Sequence, residues 1–138
     1  MSASSDYLED KLLDHVLRNT AYTSPTTVYV ALFNSDDSTG ATSELLEAGT
    51  LTTECTGGAY TRQTATFDAI SNGSTSNSGN LTWTTASDGN WGTITHVAVM
   101  DASSAGNVLF YGALDTAREI LQDDTFQITA GSLTITLA

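Results

Sequence analysis

The sequence is short of positive charge: four Lys and Arg stand against sixteen Asp and Glu in 138 residues, a formal net charge of −12. Each phosphate contact to nucleic acid needs a cation to replace a released counterion, so nucleic acid is excluded as a partner, and an anionic membrane surface with it. There is one cysteine, Cys55, which excludes an intrachain disulfide and leaves a free thiol as the simpler reading. No run approaches the roughly eighteen apolar residues of a membrane span. The polar, acidic start over residues 1–6 has neither the basic residues nor the apolar stretch of a signal peptide, so synthesis in a cytoplasm is the expectation. Charged residues make up 14% against 40% hydrophobic ones, enough apolar material for a core, so the acidity does not signal disorder.

Hydroxyl takes the place of charge: twenty-four Thr and fifteen Ser, with eleven Gly and seven Asn. Thr suits a pleated surface while Gly and Asn supply turns, so the composition favours strands. The length predicts a single domain over residues 1–138. Residues 6–18 form the one convincing amphipathic helix, with Leu8, Leu12, Leu13, Val16 and Leu17 at helical spacing and Glu9, Asp10 and Asp14 opposite. Asp6 with Glu9 has the form of a capping box. From residue 27 to 137 the pattern is strand-like. Thr27 to Phe33 is apolar on both faces, as a central strand is. Residues 34–58 are predicted to be mostly polar loop, with at most one helical turn at Glu44 to Glu47. Tyr60 to Phe67 is a Thr-rich strand candidate, and residues 71–80 read as a connector with no side chain to anchor a core. Leu81 to Trp83, Thr93 to Met100, Asn107 to Leu114, Ala117 to Leu121, Thr125 to Thr129 and Ser132 to Leu137 complete the strands, the last two alternating at period two. The expected fold is mainly β, an antiparallel β-sandwich or Greek-key barrel with an N-terminal amphipathic α-helix.

Catalysis needs a nucleophile, a base and a group to orient them, and the chain has only two histidines. His15 reads as a surface residue on the helix, near the end where the dipole favours it. His96, facing the same side as Ile94 and Ala98, reads as packed at a core edge or interface. Cys55 has no second Cys or nearby His for metal or redox work. No nucleophile elbow, phosphate loop or zinc-binding His pair occurs, so an enzyme is not expected, nor a cofactor or metal. Asn34 to Gly40 alternates oxygen-bearing side chains, but its sixth position is Thr39 and its twelfth Leu45, which breaks a calcium-loop pattern and leaves a solvated turn. Asp123-Asp124 reads as a hairpin turn. Trp83 and Trp91 flank a hydroxyl-rich segment, an arrangement suited to stacking on sugars, although closing the ends of the core or a subunit contact is the stronger reading.

Several segments together resemble a known family. The helix Tyr7 to His15, the strand Val28 to Phe33, Gly58-Ala-Tyr-Thr-Arg62, Trp91 to Ala102, Gly106 to Leu114 and Asp124 to Leu137 are similar, in order and spacing over nearly the whole chain, to small virion structural proteins of tailed bacteriophages. Such proteins are often labelled tail fibre proteins, while others of this make-up act as cement or decoration proteins on the capsid. This chain departs in its long polar insert before Gly58 and its low Lys content. The resemblance implies no catalytic residues. It implies a virion component made in the host cytoplasm, foremost a decoration protein on the capsid surface that binds the major capsid protein as a homo-oligomer, a trimer ahead of a dimer. Leu8, Leu12, Leu13, Val16, Leu17 and the 34–58 loop are then the interface candidates. The alternative is a fibre or tail-tip adhesin that recognises host-surface glycan through Trp83 and Trp91.

Overall fold

The computed structural model describes residues 3–34, 42–84 and 89–137. Among these residues, nine strands and two helices follow in order: β1 (Ala3–Ser4), α1 (Asp6–Leu17), β2 (Val28–Asn34), α2 (Thr42–Glu47), β3 (Gln63–Ala65), β4 (Ser74–Ser76), β5 (Leu81–Thr84), β6 (Gly92–Met100), β7 (Val108–Ile120), β8 (Thr125–Ile128) and β9 (Thr134–Thr136). Five strands form one antiparallel sheet in the order β1-β7-β6-β2-β3, and β4-β9 and β5-β8 form two antiparallel ribbons. The fold is mainly β with an N-terminal helix, as the strand-rich, turn-punctuated sequence predicts.

Strand β2 shows why two faces are buried. Val30 and Leu32 point into a core closed by Leu81, Trp83, Phe126, Ile128 and Ile135 from the ribbons. Ala31 and Phe33 point the other way, into a smaller cluster sealed by Leu46 of α2. Successive side chains of a strand alternate in direction, so an unbroken apolar run serves two layers at once.

Strand β6 follows the same logic, with a break at Thr95 and a further register shift against β7 between Val99 and Met100. Ile94 lies in the core with Val97 and Val99, while Ala98 and Met100 lie in the α2-side cluster. The register shifts between Ile94 and His96, in the pairing with β2 and again with β7. Thr95 is therefore a bulge residue that reverses the alternation. His96 shares a face with Ala98 and not with Ile94, which corrects the uninterrupted alternation expected from the sequence. On β7, the two expected strands are one. Ala113 pairs with His96 and Arg118 with Ile94, so Leu114 to Ala117 all bow out opposite Thr95.

Two expected loops hold structure. Within 34–58, Thr42–Glu47 is helical, and the chain then returns along the end of β2 through Asn34 N–H to Thr53 O (2.8 Å) and Cys55 N–H to Leu32 O (2.9 Å). The calcium-like stretch after Asn34 lies outside the described residues. Within 71–80, Asn72 and Gly73 both have positive φ (50° and 74°), and Ser71 and Ser74 exchange backbone hydrogen bonds of 2.9 and 3.0 Å. This is the two-residue hairpin that an Asn-Gly pair favours. The segment also has an anchor: the side chain of Asn77 is buried, donates to Gly79 O (2.8 Å) and Thr129 O (3.1 Å), and accepts from Leu133 N–H (2.9 Å).

Candidate interface

Helix α1 hangs on the outer strand of the sheet. β1 pairs Ala3 with Tyr111 and Ser4 with Phe110, and Ser5 N–H donates to Leu109 O at 3.0 Å. The N-cap is Ser5, one residue before the expected Asp6. Its fully buried hydroxyl donates to Val108 O and accepts from Leu8 N–H at 3.3 Å. Glu9 accepts from the Ser4 hydroxyl at 2.7 Å instead of completing a capping box. At the other end Asn19 takes a positive φ of 54°, Thr20 N–H returns to Asp14 O (3.0 Å), and Arg18 pairs with Asp14 at 3.0 Å. The exposed His15 accepts from Tyr22 N–H through Nδ1 at 3.2 Å. Both ends are tied down, so the orientation of the helix is fixed.

That orientation divides the five apolar interface candidates. Leu8 is buried and Leu12 half-buried, both packed on the main core, whereas Leu13, Val16 and Leu17 are 57, 73 and 73% exposed. Leu8 therefore presents almost no surface to a partner and Leu12 little, both serving packing in this structure. The geometry explains it: at about 100° per residue, Leu17 lies about 180° round the helix from Leu8. By the same spacing Asp6, Glu9 and Asp10, all exposed, share the outer face with Leu13, Val16 and Leu17. The outer face is acidic along its N-terminal half and apolar along its C-terminal half.

The glycan-stacking candidates are in the interior. Trp83 is 1% exposed and packs on Phe126 with ring centroids 5.6 Å apart; Trp91 is 3% exposed, donates Nε1–H to Gly58 O at 2.9 Å and meets the edge of Tyr60 at 5.5 Å. A Cβ added to Gly57 would lie 2.0 Å from the Trp91 ring, so that glycine is needed for the ring to seat. Stacking requires an open ring face, and neither indole offers one.

Among the described residues, one heavily bonded polar side chain carries no mark of its role in the sequence. Arg62, its side chain 2% exposed, holds Glu54 through Nε (2.7 Å) and Nη2 (2.8 Å), and donates through Nη1 to Ala102 O (2.7 Å) and Ala105 O (2.8 Å). Tyr60 donates to the same carboxylate at 3.0 Å and accepts from Leu32 N–H at 2.9 Å; burial pushes its phenol far above the ordinary range. The bonds to Glu54 likewise hold the guanidinium pKa above its ordinary value. One arginine thereby clamps the 54–62 segment to the turn between β6 and β7. The only sequence signal was its place in the Gly58 to Arg62 motif.

The other reactive side chains are similarly engaged. Cys55 is buried, and desolvation raises its thiol pKa away from the reactive thiolate. His96 bonds Ser43 Oγ through Nε2 (2.9 Å) and Thr95 Oγ1 through Nδ1 (2.8 Å), joining α2 to the bulge, and burial lowers its pKa so that the ring is neutral at neutral pH. Among the described residues, no group of three or more His, Cys, Asp or Glu is placed to hold a metal, and no helix is long and apolar enough to cross a membrane.

The distribution of cations follows from these contacts. Arg62 is sealed on Glu54, Arg18 pairs with Asp14, and Lys11 sits 5.6 Å from the centre of the Tyr7 ring. Arg118 is exposed on β7 at the edge of an open groove of about 300 Å³. Among the described residues, the other exposed side chains that carry a formal charge are carboxylates.

No curated protein sequence matches the chain. A family model described as podophage GP4 fiber I protein gp80 matches residues 3–136, spanning every strand and both helices described above. The chain therefore belongs to the podophage GP4 fiber I protein gp80 family and is a bacteriophage virion structural protein.

Proposed function

We propose that the chain is a structural module of a phage tail fibre, without catalytic activity, that works by docking onto another virion component through the outer face of α1. The observation that carries this reading is the exposure of Leu13, Val16 and Leu17 on a helix whose ends are both fixed. Folding does not require three large apolar side chains on one water-facing surface, and such patches mark interaction sites. The family description, which names a fibre, supports the location on the tail. The burial of Trp83 and Trp91 weighs against a glycan-stacking adhesin, because neither ring face is open to a sugar.

A capsid decoration role is the second reading. It is favoured by the net charge of −12, which keeps subunits soluble and apart before assembly. In that reading the partner is the major capsid protein and the chain assembles as a homo-oligomer, a trimer or a dimer. Gold-labelled antibody against the chain, viewed on purified virions by electron microscopy, separates the two. Label on the tail fibres is the expected result. Label on the shell would replace the fibre reading with decoration, and particles free of label would contradict both.

A further inference from the structure

We propose that the outer face of α1 is the receptor for a basic, apolar-faced segment of a different chain, and not for a second copy of this one. The inference rests on the docking role proposed above and names the chemistry of the occupant. Two features of the same face carry it. Leu13, Val16 and Leu17 are exposed along its C-terminal half, and Asp6, Glu9 and Asp10 along its N-terminal half.

The cations of the helix lie elsewhere. At about 100° per residue Lys11, His15 and Arg18 fall on the opposite flank, and each has a contact there: Lys11 over the Tyr7 ring, Arg18 on Asp14, and His15 accepting from Tyr22 N–H. The outer face is thus negative at one end and neutral and apolar at the other.

A second copy fits poorly in either orientation. Paired parallel, α1 against α1 sets three carboxylates on three carboxylates, and like charges at helical contact distance destabilise. Paired antiparallel, it lays those carboxylates over the partner's Leu13, Val16 and Leu17, where desolvation without a cation is costly. Nor does another face of a second copy supply many cations, because Arg62 is buried and only four Lys and Arg exist in the chain. A segment with Lys or Arg beside an apolar stripe satisfies both halves: apolar burial gives affinity, and the charge fixes direction and speeds encounter.

The test uses the full chain and two synthetic helical peptides with the same Leu and Val stripe, one flanked by Lys and the other by Glu. Binding is read by fluorescence anisotropy at low and high salt. The Lys peptide is expected to bind, to weaken at high salt, and to lose at least about tenfold in affinity to the Leu13→Ser/Val16→Ser/Leu17→Ser chain and to the Asp6→Asn/Glu9→Gln/Asp10→Asn chain, while the Glu peptide binds neither. Circular dichroism and the thermal midpoint check that both variants fold. Equal binding of the Lys peptide to the serine variant would overturn the proposal, since attraction to the general acidity of the surface would then suffice. No binding of the Lys peptide, or equal binding of the Glu peptide, would also overturn it. So would a wild-type dimer in sedimentation that the serine variant dissociates, because the occupant would then be a second copy. Failure here with gold label still on the fibres leaves the location standing and removes only the partner chemistry.

Discussion

Replacing Arg62 with alanine is expected to destabilise the chain by about 3–5 kcal/mol, read as a lowered midpoint of urea unfolding at unchanged slope. The substitution leaves the half-buried Glu54 carboxylate with the Tyr60 hydroxyl as its remaining side-chain donor among the described residues, and strips the carbonyls of Ala102 and Ala105 of their Nη1 partner. The costly part is a half-buried carboxylate without its counter-ion together with two carbonyls left without their donor. Arg62→Lys recovers little, because a single ammonium cannot grip the carboxylate with two parallel bonds and reach two carbonyls beyond it. Replacing both partners, as Glu54→Leu with Arg62→Met, removes the unpaired charge and is expected to fall between wild type and Arg62→Ala, since the two carbonyls still lose a donor. A loss under about 1 kcal/mol for Arg62→Ala, the range of exposed pairs, would show that water screens the site.

Trp83→Ala is the second large effect, about 3–5 kcal/mol, from lost burial and the cavity left between the sheets. Trp83 stands directly opposite Phe126 in the β5-β8 pairing, so truncation strips a cross-strand ring contact as well as core area. Trp83→Phe is expected to cost much less. It keeps an aromatic in place and removes Nε1–H, a buried donor with no partner among the described residues. The contrast bears on function. Loss of host-cell binding in Trp83→Ala would follow unfolding, whereas Trp83→Phe, which keeps the fold, should leave any adhesion unchanged. A Trp83→Ala chain as stable as wild type would show that the indole is not a core residue.

Much of this fold was readable from the residues. The double-faced run Val28 to Phe33 required a central strand, and the alternation of Phe126 with Ile128 required a half-buried one; both are found. Pairing was less legible. That Leu114 to Ala117 bow out opposite one Thr95 is a property of two strands together, and no single-strand periodicity contains it. The Asn72-Gly73 hairpin was legible in principle from its dipeptide, but the surrounding Ser and Thr masked it as a connector. The interface was half-legible. Five apolar residues at helical spacing identified α1, yet they span half its circumference, and only the anchoring of Ser5 on β7 decides that Leu8 turns inward and Leu17 outward. Arg62 was illegible as a structural residue because one cation in a Thr-rich stretch looks solvated; its burial depends on Glu54 and the turn at Ala102 to Ala105, brought together only by folding.

The most direct test of an assembly role carried by α1 is the copy number of the Leu13→Ser/Val16→Ser/Leu17→Ser chain in purified virions, measured by quantitative mass spectrometry against the major structural proteins after equal expression. The expected variant folds as wild type does, because all three side chains face water, and is depleted from particles by about tenfold or more. Wild-type copy number for the folded variant would contradict that role.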